Sequence, residues 1–464
     1  MADGSSTTNE SRYSTTNNFS FMYQVYCPYM LIYRNADRTP GFLSPAVLQK
    51  GLRVLIRKYY PPVAGWYDVH GDDIDVVYYK DKFNDPPFET QTLDIDYQTL
   101  RQRVVDSDED LLVPKGPSAT LTADNKDIPM FLVKATYLKS NEAVVLGVNY
   151  HHSLMDGAAI WLFLNNWAYV CRQVCEGSDE YSIPYPPTFG FPDISHLRDP
   201  SASFNHTEYV LVEQGNCARE FKPGTDPIRE IIFIISPEQQ LDIRSLAKEC
   251  KVTFTAMLCA MFWKEISDVR FAARPSIGSD PSLFTCAVNP RSRLGISSNL
   301  CASPVVNVAL VKPVSEIAKL ELRDVAQLVE QTISKGSSAY ICSSLDHLLS
   351  QRAKELEDEK QGRASQRAMF AYIQPASAKC TVSSSRNFPI YDVDFGFGRP
   401  NYVRPPYLPF DGCLRIWPAP PHRAYRDGSD NSAGSLEIYV SQPDHVDLST
   451  SQLLSQFLAS RADL

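Results

Sequence analysis

The stretch Ala143–Val174, AVVLGVNYHHSLMDGAAIWLFLNNWAYVCRQV, changes period in its middle. Ala143–Tyr150 is an apolar run of strand length. An earlier run, Met130–Tyr137, is joined to it by a short turn through Lys139, Ser140, Asn141 and Glu142, so the two read as a hairpin or neighbouring pair. From Gly157 onward Ile160, Phe163, Leu164, Trp167, Val170, Cys171 and Val174 recur on one stripe, which predicts a helix over 157–174. Side chains alternate along a strand, so Val144, Leu146, Val148, Tyr150 and His152 share one face, and Val145, Gly147, Asn149 and His151 the other. Only one of the two adjacent histidines can therefore point into a given cleft.

Working outward, Leu43–Tyr60 reads as a helix with Ser44 as cap and Pro45 in its first turn, stopped by Pro61-Pro62. Strands are expected at Trp66–Val69 and Asp75–Tyr79, and 115–127 is a polar loop. From about 180 to 227 seven prolines and several glycines break the pattern, as a crossover between two domains would. Strand Glu230–Ile235 follows, then a helix to Cys250 capped by Ser236 with Pro237 and Glu238 in its first turn, then a helix Phe254–Ser267 capped by Thr253. Further strands are expected at Phe284–Val288, Val305–Val311, Met369–Ile373 and Leu436–Val440, with helices near 323–334 and 449–460. The mixed charges of 352–367 read as a solvated face. The fold class is α/β or α+β. The expected organisation is a disordered polar arm over 1–18, an N-terminal domain over 19–180, a linker over 181–227 and a C-terminal domain over 228–464.

Composition bounds the function. With 464 residues, 44% of them hydrophobic, the chain can bury sizeable cores without disulfide or metal staples. Forty-five Lys and Arg against 54 Asp and Glu give a net charge of −9, which excludes a generally basic surface for nucleic acid but allows one local basic pocket. The apolar runs fall far short of the ~20 residues that span a bilayer, and the first 18 residues lack the apolar segment of a secretion signal. Eleven scattered cysteines without a CxxC pair read as reduced thiols of a cytoplasmic protein, expected to be monomeric and without a metal.

Chemistry concentrates at the end of the strand. An imidazole there, with an unperturbed pKa near 6.5, is partly neutral at cell pH and suits a general base taking a proton from a hydroxyl or amine. Asp156 and Gly157 stand at the loop-to-helix junction, where a carboxylate meets free backbone N–H groups, so Asp156 reads first as a structural clamp. A metal held by His151, His152 and Asp156 is opposed by the strand's alternation. The chain has no GxSxG elbow, which weakens a hydrolase reading. Histidines 70, 196, 206, 347, 422 and 445 form no motif.

His152-x-x-x-Asp156-Gly157 resembles the HxxxDG motif of the BAHD acyltransferases, including fungal relatives such as the trichothecene acetyltransferases. Asp394-Phe395-Gly396-Phe397-Gly398 is similar to that family's DFGWG, with Pro389, Tyr391 and the hydroxyl pair Ser383-Ser384 upstream. Leu43–Trp66, Val252–Lys264, Val288–Arg293 and Leu436–Val440 agree in order, so the resemblance covers roughly residues 20–460. It implies two chloramphenicol-acetyltransferase-like domains joined by a long crossover, with a solvent channel between them. Acyl-CoA, acetyl-CoA foremost, would be the co-substrate, and a hydroxyl or amine of a bulky secondary metabolite the acceptor. His152 would be the base, with no acyl-enzyme. Asp156 would pair with Arg291 or Arg293, and the DFGFG segment would support architecture. For the oxyanion, Ser383 and Ser384 are candidates. Asp394, if buried, should have a basic partner, and Gly396 and Gly398 allow tight turns. Lys251, Thr253 and Thr255 at a helix start are candidates for the CoA phosphates, with ordinary capping as the other reading. The chain departs from the family at Ser385 and Phe397, where Trp is usual. The double histidine also resembles the HHxxxDG of peptide-synthetase condensation domains, which use carrier-bound thioesters, and a non-catalytic pseudo-transferase is the third reading.

Overall fold

Strand Ala143–His151 lies third in a five-stranded sheet, in the order Tyr402–Arg404, Tyr26–Arg34, Ala143–His151, Phe131–Leu138, Phe88–Leu93. All its neighbours run antiparallel except Phe88–Leu93, which pairs parallel with Phe131–Leu138. The computed structural model describes residues 10–15, 18–70, 73–79, 84–117, 128–213, 227–421, 434–448, 451–457 and 459–460. Every residue of Ala143–His151 is buried, because both faces are covered. On one face Ala143 and Val145, with Met30 and Ile32, pack against Leu100, Val104 and Leu112 from the helices Tyr97–Val105 and Glu109–Leu112. On the other, Tyr29 and Phe131 meet Trp161, Phe163 and Trp167 of the helix Gly157–Cys175.

The architecture is mixed α/β, and the chain forms two compact units that are not contiguous halves. The first gathers the described residues up to Pro192 with Ile296–Pro304 and Phe388–Tyr407. Those two later stretches, and with them the Asp394–Gly398 motif, were expected in the C-terminal domain. Tyr402–Arg404 belongs with the first unit because it completes the edge beside Tyr26–Arg34, a pairing that no local pattern announces. The disordered arm is also corrected in part: Glu10–Ser14 is a strand on Asp73–Tyr79, in a three-stranded sheet with Trp66–His70. Main-chain pairing and the Arg12–Asp68 ion pair (2.8 Å) hold it, so polar side chains do not prevent it. Residues 1–9 and 16–17 lie outside the described residues, as do 118–127 of the polar loop.

The second unit centres on a seven-stranded sheet, in the order Val306–Pro313, Pro281–Val288, Ala378–Ser384, Cys413–Pro418, Leu436–Pro443, Ile228–Ile235, Ala459–Ser460. Helix Pro237–Cys250 starts at a reciprocal capping box between Ser236 and Gln239. Helix Phe254–Ala273 packs Trp263 on Phe284 and Phe262 on Phe233. Within the expected linker, Tyr209–Glu213 pairs with Gln366–Phe370, and residues 214–226 lie outside the described ones. The expected helix at 449–460 is described only as Gln452–Phe457. The run 352–367 begins inside the helix Ser338–Lys360, whose last turns are mostly solvated apart from Glu355, buried on Arg367. Ser44 precedes helix Pro45–Tyr59 but its side chain makes no cap bond. No helix among the described residues is long and apolar enough to cross a membrane.

Gly147, on the covered face of the central strand, has no room for a side chain: a Cβ there would stand 2.0 Å from the Leu112 carbonyl oxygen. Gly147→Ala is expected to destabilise the first unit by about 1–3 kcal/mol through overpacking, read as a lower urea midpoint.

Candidate active site

His152 is the first residue past the central strand, and its N–H donates to the Val25 carbonyl at 2.8 Å. Its Nδ1 lies 3.0 Å from Ser303 Oγ, and the Ser303 N–H donates to Ser20 Oγ at 3.1 Å. Tyr23 stacks on the imidazole, with centroids 4.7 Å apart and planes 19° off parallel. The residue is half-buried, and its Nε2 has no hydrogen-bond partner among the described residues. Burial pulls its pKa below the ordinary value, and the charge of Asp156 opposes that shift without cancelling it.

The neighbouring His151 is different. It is fully buried, with Nδ1 2.7 Å from Ser153 Oγ and 3.1 Å from the Tyr67 hydroxyl. Strand alternation separates the two rings, and His151 is a satisfied interior group.

Asp156, 1% exposed, is the N-cap of Gly157–Cys175 and accepts from the Ala159 N–H at 3.0 Å. Its own N–H donates to the Ala302 carbonyl at 3.2 Å, so the short segment ending at Pro304 steadies both Asp156 and His152. A Cβ on Gly157 would meet the Phe388 ring at 2.8 Å.

The Asp394–Gly398 loop docks on the same helix. The Arg172 guanidinium donates to the Asp394 carbonyl, and Phe395 inserts between Tyr33 and Trp167 at 5.8 and 5.1 Å. The Asp394 carboxylate accepts from the N–H groups of Gly396 (2.7 Å) and Gly398 (2.9 Å). This corrects the expected basic partner: backbone donors satisfy the carboxylate within its own loop. Both glycines have φ near +100°, a region that favours glycine. Phe397, at a position where the family has Trp, lies against Phe42 at 5.0 Å, and Ser385 is buried with its N–H on Ile416.

The other expected site residues belong to the second unit. Ser383 and Ser384 end the strand Ala378–Ser384, Ser383 exposed and Ser384 half-buried. Arg293 donates to the Gly336 carbonyl at 2.7 Å; Arg291 is buried, with Nη1 3.2 Å from Asn289 Oδ1. Lys251 is an exposed left-handed C-cap, and Thr255 is half-buried. Thr253 caps Phe254–Ala273 through Ala256 N–H (3.2 Å), while its own N–H donates to Glu330 (2.7 Å), so capping accounts for it. Beside it stands a pair of cations not anticipated from sequence. The guanidinium groups of Arg244 and Arg386 lie 4.6 and 5.1 Å from the Phe254 ring centroid. Neither makes an ion pair among the described residues. Burial, with the like charge of Arg244 added, lowers the Arg386 pKa.

Ser303 and Tyr23 also touch His152, contacts that the sequence does not announce. Ser303 lies far along the chain in an irregular segment with no motif of its own; only the adjacency of Arg386 to the serine run could have drawn attention to the second site. Among the described residues no group of three or more His, Cys, Asp or Glu is placed to hold a metal.

A family model described as a transferase family matches residues 106–438. Among characterised relatives, a hydroxycinnamoyl-CoA:5-hydroxyanthranilate N-hydroxycinnamoyltransferase of Avena sativa, HHT4, is 26% identical over 349 residues, which cover 71% of this chain and 69% of that protein. Putrescine hydroxycinnamoyltransferase 1 of Oryza sativa subsp. japonica is 24% identical across 95% of this chain and 94% of its own length. Among solved structures, F. graminearum TRI101 complexed with ethyl coenzyme A superposes with a TM-score of 0.70 at 18% identity, covering 97% of this chain and 99% of that one.

Removing the helix cap tests the clamp. Asp156→Ala is expected to lose at least the cap's share of about 0.5–2 kcal/mol and to lower the thermal midpoint, whereas Asp156→Asn keeps an acceptor and most of the stability.

Proposed function

The chain belongs to the transferase family matched over residues 106–438, the BAHD-type acyltransferases, and from this we propose that it moves an acyl group, acetyl foremost, from coenzyme A to a hydroxyl or amine of a small secondary metabolite. The observation that carries the proposal is the half-buried His152, with Nδ1 engaged by Ser303 and Nε2 unengaged. With Nδ1–H donating to Ser303 Oγ, Nε2 keeps its lone pair and acts as base. His152 takes the acceptor's proton as its oxygen or nitrogen attacks the thioester carbonyl, then returns a proton to the departing thiolate. No residue is acylated. A base so positioned contributes about 10²–10⁴-fold. In this reading Ser383 or Ser384 hydroxyls and backbone N–H groups stabilise the oxyanion. In the same reading Asp156 serves as the clamp at the start of its helix rather than in the chemistry.

Arg244 and Arg386 fit the phosphates of the donor. Two guanidinium groups flanking one ring, neither in an ion pair among the described residues, gain from an anionic ligand. Lys251 and Thr255 stand near the same helix end, while Thr253 is taken up by capping. The TRI101 structure was obtained with ethyl coenzyme A, which agrees with a coenzyme A-borne donor here. The same reading takes the two units as chloramphenicol-acetyltransferase-like domains of a cytoplasmic monomer.

His152→Ala is expected to lower acceptor-dependent release of free CoA about 10²–10⁴-fold with an unchanged melting midpoint; near-normal release would remove the proposal's base. Transfer from a carrier protein but not from acyl-CoA would favour the condensation-type reading instead. Because burial disfavours the imidazolium, His152 stays neutral as pH falls through the ordinary histidine range. The acid limb of kcat/KM should therefore have its midpoint below about 6.5, and a midpoint above that value contradicts the assignment. Arg386→Ala and Arg244→Ala should raise KM for acyl-CoA while leaving kcat nearly intact.

A further inference from the structure

Three residues with no place in the acyl-transfer proposal come together elsewhere in the second unit. Ser343 Oγ, on the helix Ser338–Lys360, lies 2.9 Å from His206 Nε2. His206 Nδ1 lies 2.9 Å from Glu208 Oε1. Nucleophile to base and base to carboxylate are both at hydrogen-bond distance, through opposite nitrogens of one ring. We propose that Ser343, His206 and Glu208 form a second reactive site, at which Ser343 attacks small activated esters.

The polarity of the array supports this. Glu208 is 1% exposed, and among the described residues no lysine or arginine pairs with it. Its oxygens meet His206 and hydroxyl donors: the Tyr340 hydroxyl reaches Oε2 at 2.5 Å and Ser344 Oγ lies 3.3 Å from Oε1. The Glu208 carboxylate at Nδ1 and the Ser343 hydroxyl at Nε2 set the ring in the orientation that proton transfer from the serine needs. The same carboxylate holds Nδ1–H, so Nε2 is the acceptor facing the serine. At the other end Ser343, His347 and Phe204 are half-buried, so that end of the array is partly open to solvent. His347 stands one turn beyond Ser343 on the same helix, its ring 5.2 Å from that of His206. Burial and then the neighbouring His206 lower the His347 pKa.

The chemistry balances with water alone. Ser343 Oγ forms a bond to the ester carbonyl carbon as its proton passes to His206 Nε2. The bond to the leaving alcohol or phenol then breaks, and that group takes the proton. Water, deprotonated by His206, attacks the acyl-serine, releasing the acid and restoring Ser343.

The test uses the full-length protein and a fluorophosphonate probe, which loses fluoride to an activated serine, with the modified peptide located by mass spectrometry. The expected result is an adduct on Ser343, retained in His152→Ala, absent in Ser343→Ala, and formed about 10²-fold or more slowly in His206→Gln. No adduct on Ser343 of the unaltered protein, under conditions that fully label a serine hydrolase run beside it, overturns the proposal. So does an adduct whose rate is unchanged in His206→Gln. Because His152 is not involved, either result is independent of the acyl-transfer reading.

Discussion

The hydrogen-bonded ladder on both sides of Ala143–His151 decides where a polar side chain can appear in the first unit. Tyr26–Arg34 and Phe131–Leu138 occupy both edges of that strand, and helices and aromatic side chains cover both faces. Within it an ionisable group would lose its hydration without recompense. His151, the last paired residue, is tolerated because Ser153 and Tyr67 satisfy it. One residue further the ladder ends, and His152 is both fixed by its backbone bond to Val25 and half open. A base needs that combination of rigid placement and partial desolvation.

The turn after His152 is held by chain from elsewhere. Ala302 and Ser303 take the Asp156 N–H and the His152 Nδ1, and Phe388 closes over Gly157. The Asp394–Gly398 loop then locks on the side of Gly157–Cys175 through Arg172 and Phe395. The two signature motifs are thus two ends of one support. The first ends the strand and caps the helix, and the second docks on the side of that same helix.

Much of this was legible in the residues. The change of period at 150–157, the capped helices after Ser236 and Thr253, and the opposed histidines all follow from local rules of backbone geometry. What was not legible depended on partners far apart in the chain. Ser303 lies in an irregular segment with no period. Arg244 and Arg386 meet only because a helix and a strand end converge on Phe254. His206 looked solitary until the sheet brought it beside Ser343. Helix Ser338–Lys360 was missed because its buried side chains crowd into the first three turns, leaving a charged tail without a stripe. The strand Glu10–Ser14 escapes composition because its bonds are main-chain ones.

The threading of the first unit also bears on its birth at the ribosome. His152 is translated well before Ser303, and Phe388 and the edge strand Tyr402–Arg404 come later still. At about 5–20 residues per second, the nascent central sheet waits many seconds with one flank unpaired and its imidazole unsupported. Until then the emerging chain has an open sheet edge, a template for pairing with another chain. A fragment ending near Pro192 would carry the HxxxDG motif yet lack the pieces that make it a site.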